Sequence, residues 1–121
     1  FRMPNLNAAL ALAQFENLSY YLKNKRELAE IYKTFFDKIG IKFRTENINT
    51  KSNNWLMTIE LNDKKERDLF LKETNENNIM TRPIWNLNYK TNPYSRFYHD
   101  DQKNALFLEE RIINIPSSVR I

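Results

Sequence analysis

The chain has 121 residues, no cysteine and a formal net charge of +4 at neutral pH. This length fits one domain with a real core, and the lack of cysteine excludes a disulfide framework, a thiolate metal site and a cysteine nucleophile. No run reaches the roughly 20 apolar residues of a transmembrane helix and acidic residues interrupt the lysines, so we expect a cytoplasmic protein without a membrane or nucleic-acid partner.

The first predicted element is an amphipathic helix. Asn5 is a suitable N-cap, and the helix should end near Glu16. Apolar residues follow the cap with helical spacing, at Leu6, Ala9, Leu10 and Ala13. We expect this helix to lie against another element. Because the sequence opens on Phe1 rather than Met, we also expect a fragment or a processed chain.

A second, longer amphipathic helix is predicted over residues 18–39, with aromatic and aliphatic residues on one side and charged residues on the other. Gly40, the only glycine, stands where a helix needs a left-handed terminal residue, so the helix should end there. One glycine cannot form a dinucleotide-binding or P-loop phosphate cradle. Any phosphate must therefore be held by side chains, by helix ends or by another part of the protein.

Short strands and helices are predicted to alternate in the remainder. We expect strands at residues 42–45, 55–61, 79–82 and 112–115, with Trp55 facing the core. Asp63 should cap a helix that ends near Asn75, and Asp100 or Asp101 should cap a helix that includes Glu109. The strand, helix and strand at residues 55–82 fit either a right-handed crossover or a split ferredoxin-like arrangement. This order predicts one α/β (α+β) domain over residues 1–121, with helices at 1–40 leading into an α/β sandwich at 41–121.

The corner at residues 79–85 is the main functional lead. Pro83 cannot donate to a sheet ladder and favours an extended Arg82, so the strand should end or turn here and place Arg82 and Trp85 together. A guanidinium suits bidentate recognition of carboxylate or phosphate, although it can also pair with a surface carboxylate. We interpret the corner as an anion-binding site.

Other polar clusters have simpler interpretations. His99 has no partner ligands at metal-site spacing, and Glu109 and Glu110 read as solvated surface. Ser117 and Ser118 lack a visible base and read as a polar turn. The loop aromatics could stack on bases, but we favour a role in pinning the loop at 86–101 onto the core. They are Tyr89, Tyr94, Phe97 and Tyr98.

Four stretches together resemble a known family. They are FRMPNLNAAL with AQFENL at residues 1–10 and 13–18, SNNWL at 52–56, NIMTRPIW at 78–85 and LEERIINIPSS at 108–118. In this order and spacing they are similar to the C-terminal part of the DegT/DnrJ/StrS family of pyridoxal-phosphate nucleotide-sugar aminotransferases. The TRPIW and NIPSS segments most resemble the subgroup that aminates C4 of UDP-linked N-acetyl sugars on the way to bacillosamine or legionaminic acid.

This resemblance implies the small C-terminal domain of a fold-type-I aminotransferase, with N-terminal long helices packed on a short, mainly antiparallel sheet. The family's enzymes are homodimers in which glutamate donates the amine, a 4-keto-6-deoxy nucleotide sugar accepts it, and a lysine holds pyridoxal phosphate as a Schiff base. That lysine and its large domain would lie upstream of Phe1. We therefore expect the chain to be inactive alone and to need its own large domain and a second subunit.

The resemblance also assigns residues. The family's Arg-Met-Pro-Asn segment falls on Arg2 and Asn5, implying cofactor binding, and its Arg-Pro-x-Trp corner falls on Arg82 and Trp85, implying substrate binding. No catalytic residue or metal ligand is assigned. Many relatives carry His where this chain has Trp85. The competing interpretation is a free-standing module that binds an anion or a protein partner, without catalysis, through the aromatic loop and the helix at 18–39.

Overall fold

The computed structural model describes residues 2–120, and over that range the chain forms helices on a small sheet. The helices are α1 (Asn5–Glu16), α2 (Leu18–Lys38), α3 (Lys64–Glu76) and α4 (Lys103–Glu109). The strands are β1 (Lys42–Phe43), β2 (Met57–Glu60), β3 (Arg82–Pro83) and β4 (Ile112–Ile115). A 3-10 turn at Asn88–Lys90 interrupts the long loop. The predicted α/β (α+β) class is confirmed.

The strand order in the sheet is β1-β2-β4-β3, and every neighbouring pair is antiparallel. Because β2 and β3 both run against β4, they are parallel to each other with β4 between them. The unit β2-α3-β3 therefore has the split arrangement, which was one of the two predicted.

One face of the sheet carries the core. Met57 and Ile59 of β2 lie opposite Ile115 and Ile113 of β4, and partners across a ladder point to the same face. Ile59 and Ile113 have no accessible surface. Helix α2 covers these side chains, and residues of α3 pack at the margin of the same cluster. They are Leu28, Ala29 and Phe36 of α2 and Phe70 and Leu71 of α3. Burial of this aliphatic face is the main stabilising term of the fold.

Helix α1 differs from its prediction. Pro4, not Asn5, occupies the N-cap, and no side chain bonds the first turn, so the predicted Asn5 cap is wrong. The helix itself ends at Glu16 as predicted. It contains no buried residue, and Leu6 and Leu10 stand 81% and 64% exposed. Within residues 2–120 the apolar side of α1 is left largely to solvent.

The predicted first residues of β2 and β3 are wrong. Asn54 has a positive φ of 51° and a bend follows, so β2 begins at Met57 and Trp55 lies outside the alternation. The turn at Asn78, with φ 61°, delays β3, because the Ile79 N–H is used by the Thr74 carbonyl at 2.8 Å. Strand β3 is therefore Arg82–Pro83 alone, and at the sheet edge a proline needs no outward ladder donor.

The helix ends follow local chemistry. Asp63 caps α3, accepting the Glu66 N–H at 2.8 Å, as predicted. The predicted cap of α4 is wrong: Gln102 holds that position with φ 47°, and the Asp100 carboxylate accepts the Gln102 N–H at 3.0 Å. Asp101 likewise accepts the Lys103 N–H, at 3.4 Å.

Gly40 ends α2 as predicted. With φ at 72°, its N–H reaches the Asp37 carbonyl at 3.3 Å, and the Ile41 N–H reaches the Phe36 carbonyl at 3.0 Å. This pair of backbone hydrogen bonds is a Schellman motif, in which a left-handed residue follows the helix cap.

Replacing Gly40 with alanine should lower the free energy of unfolding by about 1 kcal/mol, because a Cβ is strained at this φ. No atom lies within 4 Å of the added Cβ, so the loss is conformational rather than a clash. Urea denaturation measures it. Gly40→Asn is the matched control and should lose less, since asparagine tolerates left-handed backbone; equal losses for both variants would contradict this origin.

Candidate functional site

The face of the sheet opposite the core carries a polar row. Arg82 of β3 is paired with Asn114 of β4, and Asn114 is paired with Thr58 of β2, so their side chains share a face. Arg44 extends the row, since its N–H bonds the Thr58 carbonyl at 2.9 Å. None of these four side chains belongs to the core cluster. The row supplies a hydroxyl, a carboxamide and guanidinium groups.

Arg82 lies at the edge of this row and is exposed. Its nearest polar contact is the Met80 sulfur, 3.5 Å from the Arg82 NH2 atom. Among residues 2–120 no carboxylate oxygen comes within 4.0 Å of its guanidinium, whereas Arg44 is paired with Glu60 at 3.0 Å. The alternative of a surface ion pair for Arg82 therefore has no counterpart in the described part of the chain.

The indoles of Trp55 and Trp85 lie next to each other, with ring centroids 6.4 Å apart and planes tilted by 35°. They are 67% and 65% exposed. The prediction that Trp55 belongs to the core is wrong, because the bend before β2 turns its side chain away from the buried face. No local pattern indicated this pairing, because the two residues are far apart in the sequence and their contact depends on the strand order.

The backbone at Trp55 is held from three sides. Its N–H donates to Asn53 Oδ1 at 3.0 Å, and its carbonyl accepts the Ser117 hydroxyl at 2.9 Å. The Lys25 ammonium, from α2, donates to the carbonyls of Asn54 at 3.2 Å and of Ser117. Burial lowers the pKa of Lys25 below its ordinary value. These contacts fix the main chain while the indole stays in solvent.

Glu109 holds the segment that follows Trp85. Its carboxylate accepts the Leu87 N–H at 3.1 Å and binds the Lys90 ammonium, and its own carbonyl accepts Arg67 at 2.9 Å. The interpretation of Glu109 as solvated surface is wrong, since the residue is only 8% exposed. Its place beside Leu106 on one face of α4 was the sequence signal for burial.

The pKa values at this anchor move in opposite directions. Desolvation alone would raise the pKa of Glu109, but hydrogen bonds from Lys90 and the Leu87 N–H outweigh it and hold that pKa below its ordinary value. The hydrogen bond to Glu109 raises the pKa of Lys90. Both groups therefore remain charged near neutral pH.

The aromatic loop at 86–101 is not pinned onto the core. Tyr98 is 96% exposed, and Tyr94 and Phe97 are also exposed, because the loop closes on itself through local turns such as Phe97 N–H to Tyr94 carbonyl at 3.0 Å. Tyr89 stacks on His99 with centroids 4.2 Å apart. Together with Trp85 these two rings line an open depression of about 490 Å³.

Arg2 and Asn5 lie at the start of α1, and both are exposed. The first turn of α1 has no capping side chain and no acidic residue, so its N–H groups are available to an anion. Over residues 2–120, no hydrogen bond, ion pair or aromatic contact joins Arg2 or Asn5 to Arg82 or Trp85. The chain by itself therefore presents two separate candidate regions. In the same range, no helix has the length and apolar character that crossing a membrane requires.

Comparisons with known proteins agree on one family. A family model described as the DegT/DnrJ/EryC1/StrS aminotransferase family matches residues 1–121. GDP-perosamine synthase from Vibrio cholerae is 32% identical over 97% of this chain and 33% of its own length. GDP-perosamine synthase from Escherichia coli O157:H7 is 30% identical over 97% of this chain and 32% of its own. The chain thus spans about a third of the length of the curated relatives it matches.

Solved structures show the same fold. Helicobacter pylori PseC, an aminotransferase involved in the biosynthesis of pseudoaminic acid, superposes with a TM-score of 0.88 at 20% identity, over 99% of this chain and 33% of that one. The aminotransferase TlmJ from Streptoalloteichus hindustanus superposes with a TM-score of 0.85 at 14% identity, over 95% and 31%. The predicted fold, a small domain as found in sugar aminotransferases, is confirmed.

The hydrogen bonds of Glu109 should make the free energy of unfolding depend on pH in the acidic range. The folded-state pKa of the Glu109 carboxyl lies below its unfolded pKa of 4.5. Such a group stabilises the fold fully at pH values above the unfolded pKa, and this stabilisation is lost as the pH falls through the folded-state pKa. Glu109→Gln should therefore be less stable than the parent at neutral pH and should lose less on acidification below pH 4.5. Urea unfolding across this pH range measures both effects.

Glu110→Gln is the matched control. Its carboxylate is 48% exposed and lies 3.5 Å from Arg111, so this change should leave the acid limb of the stability profile unaltered. If the two variants gave the same profile, the assignment of the acid sensitivity to Glu109 would be contradicted.

Proposed function

This chain belongs to the DegT/DnrJ/EryC1/StrS aminotransferase family, and we propose that the protein containing it transfers an amino group from glutamate to a 4-keto-6-deoxy nucleotide sugar. The observation that carries the proposal is the family match over all 121 residues. The GDP-perosamine synthases that match along 97% of the chain support an acceptor that is a nucleotide-linked sugar.

In this proposal Arg82 binds an anionic group of the nucleotide sugar. Its guanidinium is exposed on the polar face, and no carboxylate among residues 2–120 competes for it. Asn114, opposite Arg82, donates its amide to the Pro83 carbonyl at 3.2 Å and so keeps the edge strand in place. In the same proposal Trp85, which is exposed three residues further along the chain, supplies an apolar wall of the site. The chain's contribution is then to bind and orient the substrate.

The cofactor of the proposed reaction is pyridoxal phosphate, which supplies the electron sink for moving an amine between donor and acceptor. The residues at the start of α1 fit its phosphate: Arg2 brings positive charge, Asn5 an amide, and the uncapped first turn free N–H donors. In this proposal no lysine of this chain takes the role of the covalently bound one. Lys25 and Lys90 are engaged with carbonyl and carboxylate groups. We therefore assign that lysine to the protein's large domain.

Helix α1 offers a surface for that large domain or for a second subunit. Leu6, Leu10 and Phe15 project from it into solvent over the described residues, and an unpartnered apolar helix is costly to leave exposed. We propose that these residues are covered in a homodimer. A cysteine-free chain fits the cytoplasm as the location, which stays a prediction.

The nucleotide has two candidates. The TRPIW and NIPSS segments favour a UDP-linked N-acetyl sugar, as in bacillosamine or legionaminic acid pathways, whereas the names of the matching curated relatives favour a GDP-linked sugar. Both candidates carry a diphosphate, and in this proposal Arg82 contacts that shared group, so Arg82 does not discriminate between the bases.

The activity is tested with the full-length product of the gene, purified with pyridoxal phosphate. We expect ¹⁵N from labelled glutamate to appear in the product from a GDP- or UDP-linked 4-keto-6-deoxy sugar, detected by mass spectrometry. Absence of label from every such acceptor, in protein whose cofactor is bound, would overturn the proposal.

Arg82→Ala should raise KM for the nucleotide sugar by about tenfold or more, because a charge-assisted contact to the diphosphate is lost, while cofactor content stays near normal. Steady-state kinetics and cofactor absorbance measure the two effects. Arg44→Ala is the matched control, since Arg44 lies on the same face and is already paired with Glu60. Lost cofactor with unchanged sugar kinetics would contradict the assignment.

A further inference from the structure

We propose that Trp55 and Trp85 together form the stacking site for the base of a nucleoside diphosphate, which makes Trp55 a substrate-contacting residue. This proposal rests on the proposed function for the class of its ligand. It goes beyond the family resemblance, which assigned Trp85 to the substrate side and left Trp55 without a role.

The first argument is exposure. An indole has a large apolar surface that folding normally buries, yet both rings remain about two-thirds exposed. They are also the two tryptophans of this chain, and they lie against each other. A contact between them shields part of each ring but leaves an aromatic surface open. Such a surface is favourable when a ligand covers it.

The second argument is that the backbone beneath each indole is fixed. Trp55 is held by the Asn53 side chain and the Ser117 hydroxyl, with Lys25 bonding the carbonyl just before it. Trp85 lies between strand β3 and Leu87, whose N–H is held by Glu109. Rigid aromatic residues bind a planar ligand with little loss of conformational entropy.

The third argument is the geometry of the rings. Their centroids are 6.4 Å apart, toward the upper end of the range of roughly 4.5–7 Å for aromatic pairs, and their planes diverge by 35°. The pair therefore forms an open wedge rather than a closed stack. A flat heteroaromatic ring can stack on the ring faces that such a tilted pair leaves uncovered, and purines and pyrimidines both present the required face.

The fourth argument is charge. Because β2 and β3 are parallel on either side of β4, their first residues lie at the same end of the sheet. Trp55 lies two residues before the first residue of β2, and Arg82 begins β3. The indole wedge and an exposed guanidinium thus share one end of the sheet. A base joined to a diphosphate is the chemical class that uses both features.

The wedge is tested by ¹⁹F NMR on full-length protein labelled with 5-fluorotryptophan. Trp55→Phe and Trp85→Phe identify the two resonances, and GDP and UDP are the probes. We expect both resonances to shift on titration with at least one nucleotide and to stay unchanged with inorganic pyrophosphate, which lacks a base. No shift at either position up to saturating nucleotide, or a shift of Trp85 alone, would overturn the paired site.

Kinetics provide a second, independent readout. Trp55→Ala should raise KM for the nucleotide sugar about tenfold, with kcat little changed, and Trp55→Phe should restore most of the affinity because it keeps a stacking face. Tyr98→Ala, which removes a solvent-exposed aromatic ring from the loop, is the matched control and should behave like the parent. A Trp55→Ala enzyme with parental KM would refute the role of Trp55.

These experiments separate the two proposals. If amino transfer occurs but nucleotides do not shift the ¹⁹F resonances of the two indoles, the stacking site is refuted and the aminotransferase function stands. If nucleotides shift both indoles but no acceptor sugar gains ¹⁵N, the stacking site is supported and the proposed reaction is refuted.

Discussion

The ladder between β2 and β4 is the constraint on which the rest of the structure depends. Its register sets Met57 and Ile59 against the α2 side of the sheet and leaves Thr58 and Asn114 on the other side. Since successive strand residues alternate in direction, a slip by one residue would put polar groups into the core and aliphatic groups on the open face. Arg82 depends on the same register, because among the described strands β3 pairs with β4. Packing of the core thus decides where the candidate site faces.

Two sets of polar contacts hold the irregular backbone next to the tryptophans in a defined conformation. Lys25 and Ser117 hold the chain before β2, and Glu109 with Lys90 holds the chain after Trp85. In each case a charged group binds main-chain atoms that no strand or helix satisfies. Both sets of contacts hold main-chain atoms near the tryptophans, so we expect them to influence ligand binding by positioning the indoles.

The sequence predicted those features whose cause is local. The apolar stripe of α2, the left-handed Gly40 and the Asp63 cap each follow from neighbours within one or two turns, and all three are present. The prediction that Trp55 lies in the core was wrong because the alternation with Met57 does not continue through the bend that follows Asn54. The interpretation of Glu109 as solvated surface was wrong because its partners, Leu87 and Lys90, lie in a loop that is distant in the sequence. The pairing of the two tryptophans depends on strand order, which no local pattern contains.

The chemistry of the open face favours binding over catalysis. Glu60, which lies on this face, is already shared by Lys42 at 3.2 Å and Arg44 at 3.0 Å, so its carboxylate is occupied by two cations. Glu109 is similarly occupied, and its depressed pKa makes it a weak base. The exposed groups that remain available are the Arg82 guanidinium on this face and the two indoles beyond the ends of the strands, and these groups bind charge and planar rings. If these groups bind the substrate as proposed, altering them should change KM rather than kcat.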